Sequence, residues 1–137
     1  MEPQIIDLSE SQVETLETAL DEYDQKYIKY KINAGISIGI FDGEALIAGL
    51  DACMTAFRIL YVSTVYVDER YRRKGYGRLL IREMEKRAKK LGANTIRLDT
   101  FSWQGKDFYL AMEYEQVGYY HNTEDDYEEY FFMKKIP

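Results

Sequence analysis

One cysteine and one histidine are present among 137 residues. Cys53 has no partner for a disulfide within the chain, and together with His121 it provides no zinc-ligand set. Disulfide scaffolds and Cys/His metal centres are excluded, and no metal is expected. The longest clean apolar stretch, Ala45 to Leu50, falls far short of the ~20 residues a membrane helix needs. The opening MEPQIID lacks the basic-then-apolar order of an export signal. The chain therefore reads as a soluble, cytoplasmic protein with no membrane partner. No repeat, low-complexity tract or linker divides it, so a single domain spanning 1–137 is expected. With 46% apolar residues and 13 tyrosines, it has enough surface to bury a core.

The net charge of −6 hides an asymmetry. Residues 70–90 hold ten basic side chains and two acidic ones, a net +8, and the rest of the chain carries 8 basic and 22 acidic, a net −14. Arg82 to Lys90 read as a solvated helix face, since Glu83/Arg87 and Glu85/Lys89 are i,i+4 pairs. Arg70 to Arg78 read as a segment built to meet an anion. An acidic protein is a poor general nucleic-acid binder, so a small, highly charged ligand is the better fit.

Ser9/Gln12 and Ser11/Glu14 both fit a capping box. Val13, Leu16, Leu20, Tyr23, Tyr27 and Tyr30 then recur at helical spacing, which predicts a helix over 11–30. Ile36, Ile38 and Ile40 lead to the turn pair Asp42-Gly43, and 44–54 has β-like spacing, so this is a hairpin. A strand is expected at 59–67, rich in β-branched and aromatic residues. Leu80, Met84, Ala88 and Leu91 mark one face of a helix that stops at Gly92. A strand at 95–100, a short helix at 106–112, and strands at 114–120 and 128–135 complete the pattern.

Between the third strand and the long helix lies Arg72-Arg73-Lys74-Gly75-Tyr76-Gly77. The first N–H groups of a helix lack intrahelical partners and carry the positive end of its dipole, so they suit a phosphate. Gly75 permits unusual backbone angles, and Gly77 removes a side chain where a phosphate approaches. The segment is neither a Walker loop nor a dinucleotide fingerprint. Two glycines also fit a plain tight turn.

These residues resemble the signature of the GCN5-related N-acetyltransferases, Gln/Arg-x-x-Gly-x-Gly/Ala, through Arg72, Gly75 and Gly77. A second block, Leu98 to Tyr109, is similar to the family's later motif, in which Asn or Gln precedes a short helix with an aromatic-Tyr pair. The resemblance covers most of the chain. It implies an α/β fold with a mixed, mostly antiparallel central sheet flanked by helices, acetyl-coenzyme A as donor, and a primary amine as usual acceptor. It also implies that the backbone of Val65 and Val67 pairs with the pantetheine, and that the amides from Arg72 through Arg73, Lys74, Gly75, Tyr76 and Gly77 to Arg78 hold the pyrophosphate. The side chains of Arg72, Arg73 and Lys74 add positive charge. By the same resemblance Gln104 bonds the pantetheine, Val65 N–H is the oxyanion donor, and Tyr109 stands near the thioester sulfur.

The leaving thiolate has a pKa of about 8.5 against about 10 for tyrosine, so full proton transfer from Tyr109 is uphill by about 2 kcal/mol and a hydrogen bond to the thiolate is the alternative. Tyr109 also reads as an ordinary core tyrosine. No base is assigned, because the family's histone-acetylating members carry glutamate where this chain has Tyr61. Asp51 and Asp99 are candidates to order a water, or else plain surface carboxylates. Cys53 reads as strand packing and His121 as a solvated loop residue. Glu113 stands where the family often has glycine before an aromatic, here Tyr114. The acidic excess favours a cationic acceptor, such as a polyamine, aminoglycoside or basic peptide, if those charges reach the groove. Exposed tyrosines fit a homodimer. Two other functions are open: an acyl-coenzyme A sensor without transfer, and a protein-interaction domain with a merely structural turn.

Overall fold

Ser9 opens the first helix with the reciprocal capping box. Gln12 N–H donates to Ser9 Oγ at 3.3 Å, and Ser9 N–H donates to Gln12 Oε1 at 2.9 Å. In the computed structural model, which describes residues 2–29 and 31–137, this helix, α1 (Glu10–Asp24), belongs to a first compact unit, Met1–Tyr30. It ends before the predicted boundary at 30. Asp21, Glu22 and Asp24 crowd its last turn with no basic residue beside them, an unfavourable match to the negative end of the helix dipole. Turn bonds follow, with Tyr27 N–H and Ile28 N–H both donating to Asp24 O. Tyr30, the last apolar position of the predicted helix, lies outside the described residues.

The second unit, Lys31–Pro137, carries β1 (Gly35–Asp42), β2 (Ala45–Met54), β3 (Ile59–Val67), α2 (Tyr76–Leu91), β4 (Thr95–Phe101), α3 (Lys106–Ala111), β5 (Glu115–Asn122) and β6 (Tyr127–Lys135). The strands form one sheet in the order β1-β2-β3-β4-β6-β5. Its neighbours are antiparallel, through hairpins for β1–β2, β2–β3 and β5–β6 and through α3 and β5 for β4–β6, apart from β3 and β4, which are parallel because α2 crosses over between them. Leu80, Ile81, Met84 and Ala88 of α2 are buried and share a core with Leu60, Val62, Ile96, Leu98 and Phe132. Alternate residues of β1–β4, among them Ser37, Asp51, Tyr66 and Asp99, face away from that core and are exposed. Cys53 is one of these exposed residues, not packing as its apolar strand suggested. No described helix is long and apolar enough to cross a membrane.

Both core helices end in the same backbone motif. After α2, Gly92 N–H bonds Lys89 O and Ala93 N–H bonds Ala88 O, with Gly92 at φ 97°. After α3, Glu113 N–H bonds Leu110 O and Tyr114 N–H bonds Tyr109 O, with Glu113 at φ 69°. The Schellman ending asks for a left-handed residue, so glutamate at 113 bears strain that glycine would not. Glu113→Gly is expected to raise stability by about 0.5–1 kcal/mol. A urea midpoint that stays put or falls would show that the side chain contributes something the strain argument omits.

A polar cluster ties α2 to the end of α3 and to β6. Lys134 Nζ donates to Glu85 Oε2 at 3.2 Å and to Met112 O at 3.0 Å, and Tyr114 Oη donates to Glu85 Oε2 at 2.7 Å. Glu85 thus pairs with Lys134 rather than with Lys89, while Glu83 and Arg87 form the expected i,i+4 pair at 2.8 Å. Burial, and then the bond to Glu85, push the Tyr114 phenol far up. His121 stands on β5 rather than in a loop, and its Nε2 lies 3.8 Å from Asp126 Oδ1 at the β5–β6 turn.

Candidate active site

The site begins where β3 and β4 part. Their ladder has three pairs, ending at Tyr61 opposite Arg97. Immediately beyond, the β2–β3 register slips so that Val62 faces Ala52 and Thr64 faces Asp51, which leaves Ser63 as an extra residue. Such a bulge bends its strand and increases local twist. From there β3 pairs only with β2, and β4 only with β6. A wedge opens between residues 62–67 and 98–101.

The backbone polarity of that edge follows from one bond. Asp68 N–H donates to Ile47 O of β2 at 2.7 Å. Successive residues of a strand turn their polar groups to opposite sides, so Tyr66 and Thr64 also face β2. Val65 and Val67 present N–H and C=O to the wedge. The Val67 carbonyl accepts from Arg72 Nε at 2.9 Å, while Arg72's guanidinium lies over the Tyr66 ring. This expected pantetheine contact of Val67 therefore coexists with a local donor.

Below the wedge the chain makes a short 3₁₀ turn, Glu69–Tyr71, capped by Asp68, whose Oδ1 accepts from Arg70 N–H at 2.9 Å. The ion pair to Arg70 holds the Asp68 carboxyl below its ordinary range. Tyr71 Oη donates to Asp42 Oδ2 at 2.6 Å and so pins the turn to the β1–β2 hairpin. Arg73 (φ 63°) and Gly75 (φ 84°) then take left-handed conformations, and α2 begins at Tyr76. The first α2 amide with a backbone partner is Leu79, which donates to Gly75 O. Among the described residues, no acceptor meets the N–H groups of Arg73, Lys74, Gly75, Tyr76, Gly77 or Arg78. Six consecutive unpaired donors at a helix N-terminus are a ready anion cradle.

Gly77 also meets a packing constraint that the sequence did not show. A Cβ placed there would sit 3.3 Å from Phe108 Cζ and 3.9 Å from Val67 Cγ2. Its missing side chain lets the first turn of α2 close against α3 and β3.

The far lip is built by β4 and α3. Thr100, the one buried polar side chain among the described residues, accepts from Gly105 N–H at 3.2 Å, and Gln104 Oε1 accepts from Phe101 N–H at 2.8 Å. Gln104's oxygen is thus committed to the local turn, and its amide hydrogens are what it can offer a ligand. Tyr109 is 7% exposed, and its ring packs against Phe108, Tyr114 and Phe132. No described side chain bonds its hydroxyl, yet no enclosed side-chain oxygen among the described residues lacks a partner. The hydroxyl therefore reaches the edge of the core. Burial pushes its pKa up to about 12.

One pairing escaped the sequence reading. Across the apex of the wedge, Tyr61 Oη donates to Asp99 Oδ2 at 3.2 Å, and the Arg97 guanidinium lies over the Tyr61 ring at 4.6 Å. Burial, and then Asp99, raise the Tyr61 phenol above its ordinary pKa. Asp51, the other carboxylate considered, lies one strand away and accepts from Ser37 Oγ at 2.5 Å.

Residues 5–114 match the model of the acetyltransferase (GNAT) family. The chain belongs to this family, and is an acyltransferase. An acetyltransferase from Bacillus cereus is 25% identical, with a TM-score of 0.89 and 98% of each chain covered. An aminoglycoside 6'-N-acetyltransferase complexed with coenzyme A is 17% identical, with a TM-score of 0.66 and 98% of each chain covered. A Bacillus anthracis protein assigned as a streptothricin acetyltransferase, in complex with acetyl coenzyme A, is 19% identical, with a TM-score of 0.67 over 82% of this chain and 67% of that one. No curated protein sequence matches significantly.

Proposed function

We propose that this chain, as one acetyltransferase domain over 1–137, transfers an acetyl group from acetyl-coenzyme A to a cationic primary amine by direct attack. The observation that carries the reading is the run of unpaired amides from Arg73 to Arg78 beside the free polar edge of Val65 and Val67. The six N–H groups suit the pyrophosphate, the β3 edge suits the amide-bearing pantetheine, and Arg72, Arg73, Lys74 and Gln104 complete the binding side. No metal takes part in the scheme.

The cosubstrate supplies an activated acetyl thioester. The amine nitrogen bonds to the carbonyl carbon, and Val65 N–H, fixed in a strand, donates to the negative charge that develops on the carbonyl oxygen. Bonding to carbon makes the nitrogen far more acidic than the free ammonium. Its surplus proton passes to Asp99, through the Tyr61 hydroxyl as Tyr61 gives up its own. The carbon–sulfur bond then breaks, and the thiolate leaves against the Tyr109 hydroxyl. With Tyr109 at about 12 and the thiol at about 8.5, full proton transfer is uphill by about 5 kcal/mol. Tyr109 therefore acts as a hydrogen-bond donor rather than as an acid.

Two measurements follow. Asp99→Asn is expected to lower kcat on the order of tenfold, less than an enclosed base would, because solvent reaches the pair. Undiminished turnover would remove Asp99 from the scheme. In the parent protein, kcat/KM should climb with pH, since the attacking amine is free only near its pKa of about 10.4, and Tyr109, pushed up to about 12, stays protonated throughout. A profile that falls above pH ~8 would mean that a different, more acidic group assists the thiolate.

A further inference from the structure

On the sheet face turned away from α2, the cross-strand register brings three rows together. Gly39 of β1 stands opposite Gly49 of β2, which stands opposite Tyr66 of β3. Phe41 and Leu46 form the row on one side, and Ser37, Asp51 and Thr64 the row on the other. Gly49 leaves its part of the floor open, the Leu46 side chain covers Gly39, with Cδ1 2.9 Å from where a Cβ would stand, and the flanking rows make the walls of a groove of about 480 Å3. Its lining is overwhelmingly apolar, and Asp51 is the only carboxylate in it.

We infer that this groove receives the body of the acceptor, and that the acceptor is a monoamine on an aromatic or branched apolar frame, with its ammonium beside Asp51. This rests on the transfer reading above. Three observations favour it. The Asp51 carboxylate is held in place by the Ser37 hydroxyl at 2.5 Å, so one oriented negative charge awaits one positive charge. Asp51 faces Thr64, the neighbour of Val65, so an ammonium bound there lies one strand from the wedge into which the Val65 N–H points. The acidic group Glu124, Asp125, Asp126, Glu128 and Glu129 lies on the β5–β6 hairpin, at the opposite end of the sheet order from β1 and β2. That acidic group does not line this groove. A flat ring fits the floor at Gly49 beside Tyr66, whereas the second ammonium of a polyamine would have to desolvate against Phe41 and Leu46 without a partner.

Gly49→Val tests the groove. A Cβ at Gly49 meets only Ile38 O, at 3.4 Å, which is ordinary contact, and valine suits a strand, so the variant is expected to fold. Its branches fill the floor. The parent protein is expected to use 2-phenylethylamine with a kcat/KM about tenfold or more above that of spermidine, and Gly49→Val to lose about tenfold with 2-phenylethylamine while its acetyl-coenzyme A affinity is unchanged. Asp51→Asn should raise KM more than it lowers kcat. A preference for spermidine, or full use of 2-phenylethylamine by Gly49→Val, overturns the inference. Calorimetric binding of 2-phenylethylamine separates it from the transfer reading. Binding that Gly49→Val abolishes supports the groove even without turnover, and absence of binding to the parent protein refutes the groove whatever the fate of the transfer reading.

Discussion

Replacing Tyr109 by phenylalanine is expected to lower kcat and kcat/KM together by about 10²-fold, near 3 kcal/mol, with acetyl-coenzyme A affinity hardly changed. The aromatic ring packs against Phe108, Tyr114 and Phe132, and phenylalanine keeps those contacts. Only the hydroxyl is removed, and no described side chain depends on it for a hydrogen bond, so the fold should not suffer. An interaction that strengthens as charge gathers on the departing sulfur affects the transition state and leaves ground-state binding alone. Steady-state kinetics beside calorimetric cofactor binding would check this. Near-full turnover in the variant would return Tyr109 to the role of a core tyrosine and leave thiolate departure to solvent.

Gly77→Val should have the other large effect, this time on binding. Its side chain would begin 3.3 Å from the Phe108 ring and 3.9 Å from Val67, so the first turn of α2 must lift away from α3 and β3. Overpacking of this kind costs about 1–3 kcal/mol of stability. The larger consequence is the displacement of the Arg73–Arg78 donors relative to the β3 edge, since a chelating set of weak donors works only in register. Loss of acetyl-coenzyme A affinity by about 10²-fold is expected, with Gly77→Ala between the two. Circular dichroism would confirm that the variant is folded, and calorimetry would read the affinity. A folded Gly77→Val protein with parental affinity would remove the cradle from the account.

The periodic elements were legible in the sequence because their signals are local. The β-branched and aromatic run at 59–67, the helical face ending at Gly92 and the Asp42-Gly43 turn each mark an element within one or two residues of its place. The family signature likewise marked Arg72, Gly75 and Gly77. What was not legible depends on register. The Tyr61–Asp99 bond joins residues 38 apart in sequence, and it forms only because the β3–β4 ladder stops just there. Gly49 becomes part of a floor only once β1 and β2 are aligned. The bulge at Ser63 leaves no mark in composition, yet it bends β3 away from β4. The packing at Gly77 was hidden for the same reason, because the ring it must admit, Phe108, comes from another element. Glu113 shows the converse case: its departure from the family's glycine was visible at once, and its left-handed backbone is the physical cost of that departure.

The central claim is that this chain moves an acetyl group from a thioester to an amine. The most direct test is thiol release from acetyl-coenzyme A in the presence of a panel of primary amines, with mass spectrometry of the amine after each reaction. The account predicts amine-dependent thiol release accompanied by an equal amount of N-acetylated amine, with 2-phenylethylamine among the best acceptors. Saturable binding of acetyl-coenzyme A without amine-dependent thiol release, and without any acetylated product, would contradict it and leave a protein that senses the cosubstrate and transfers nothing.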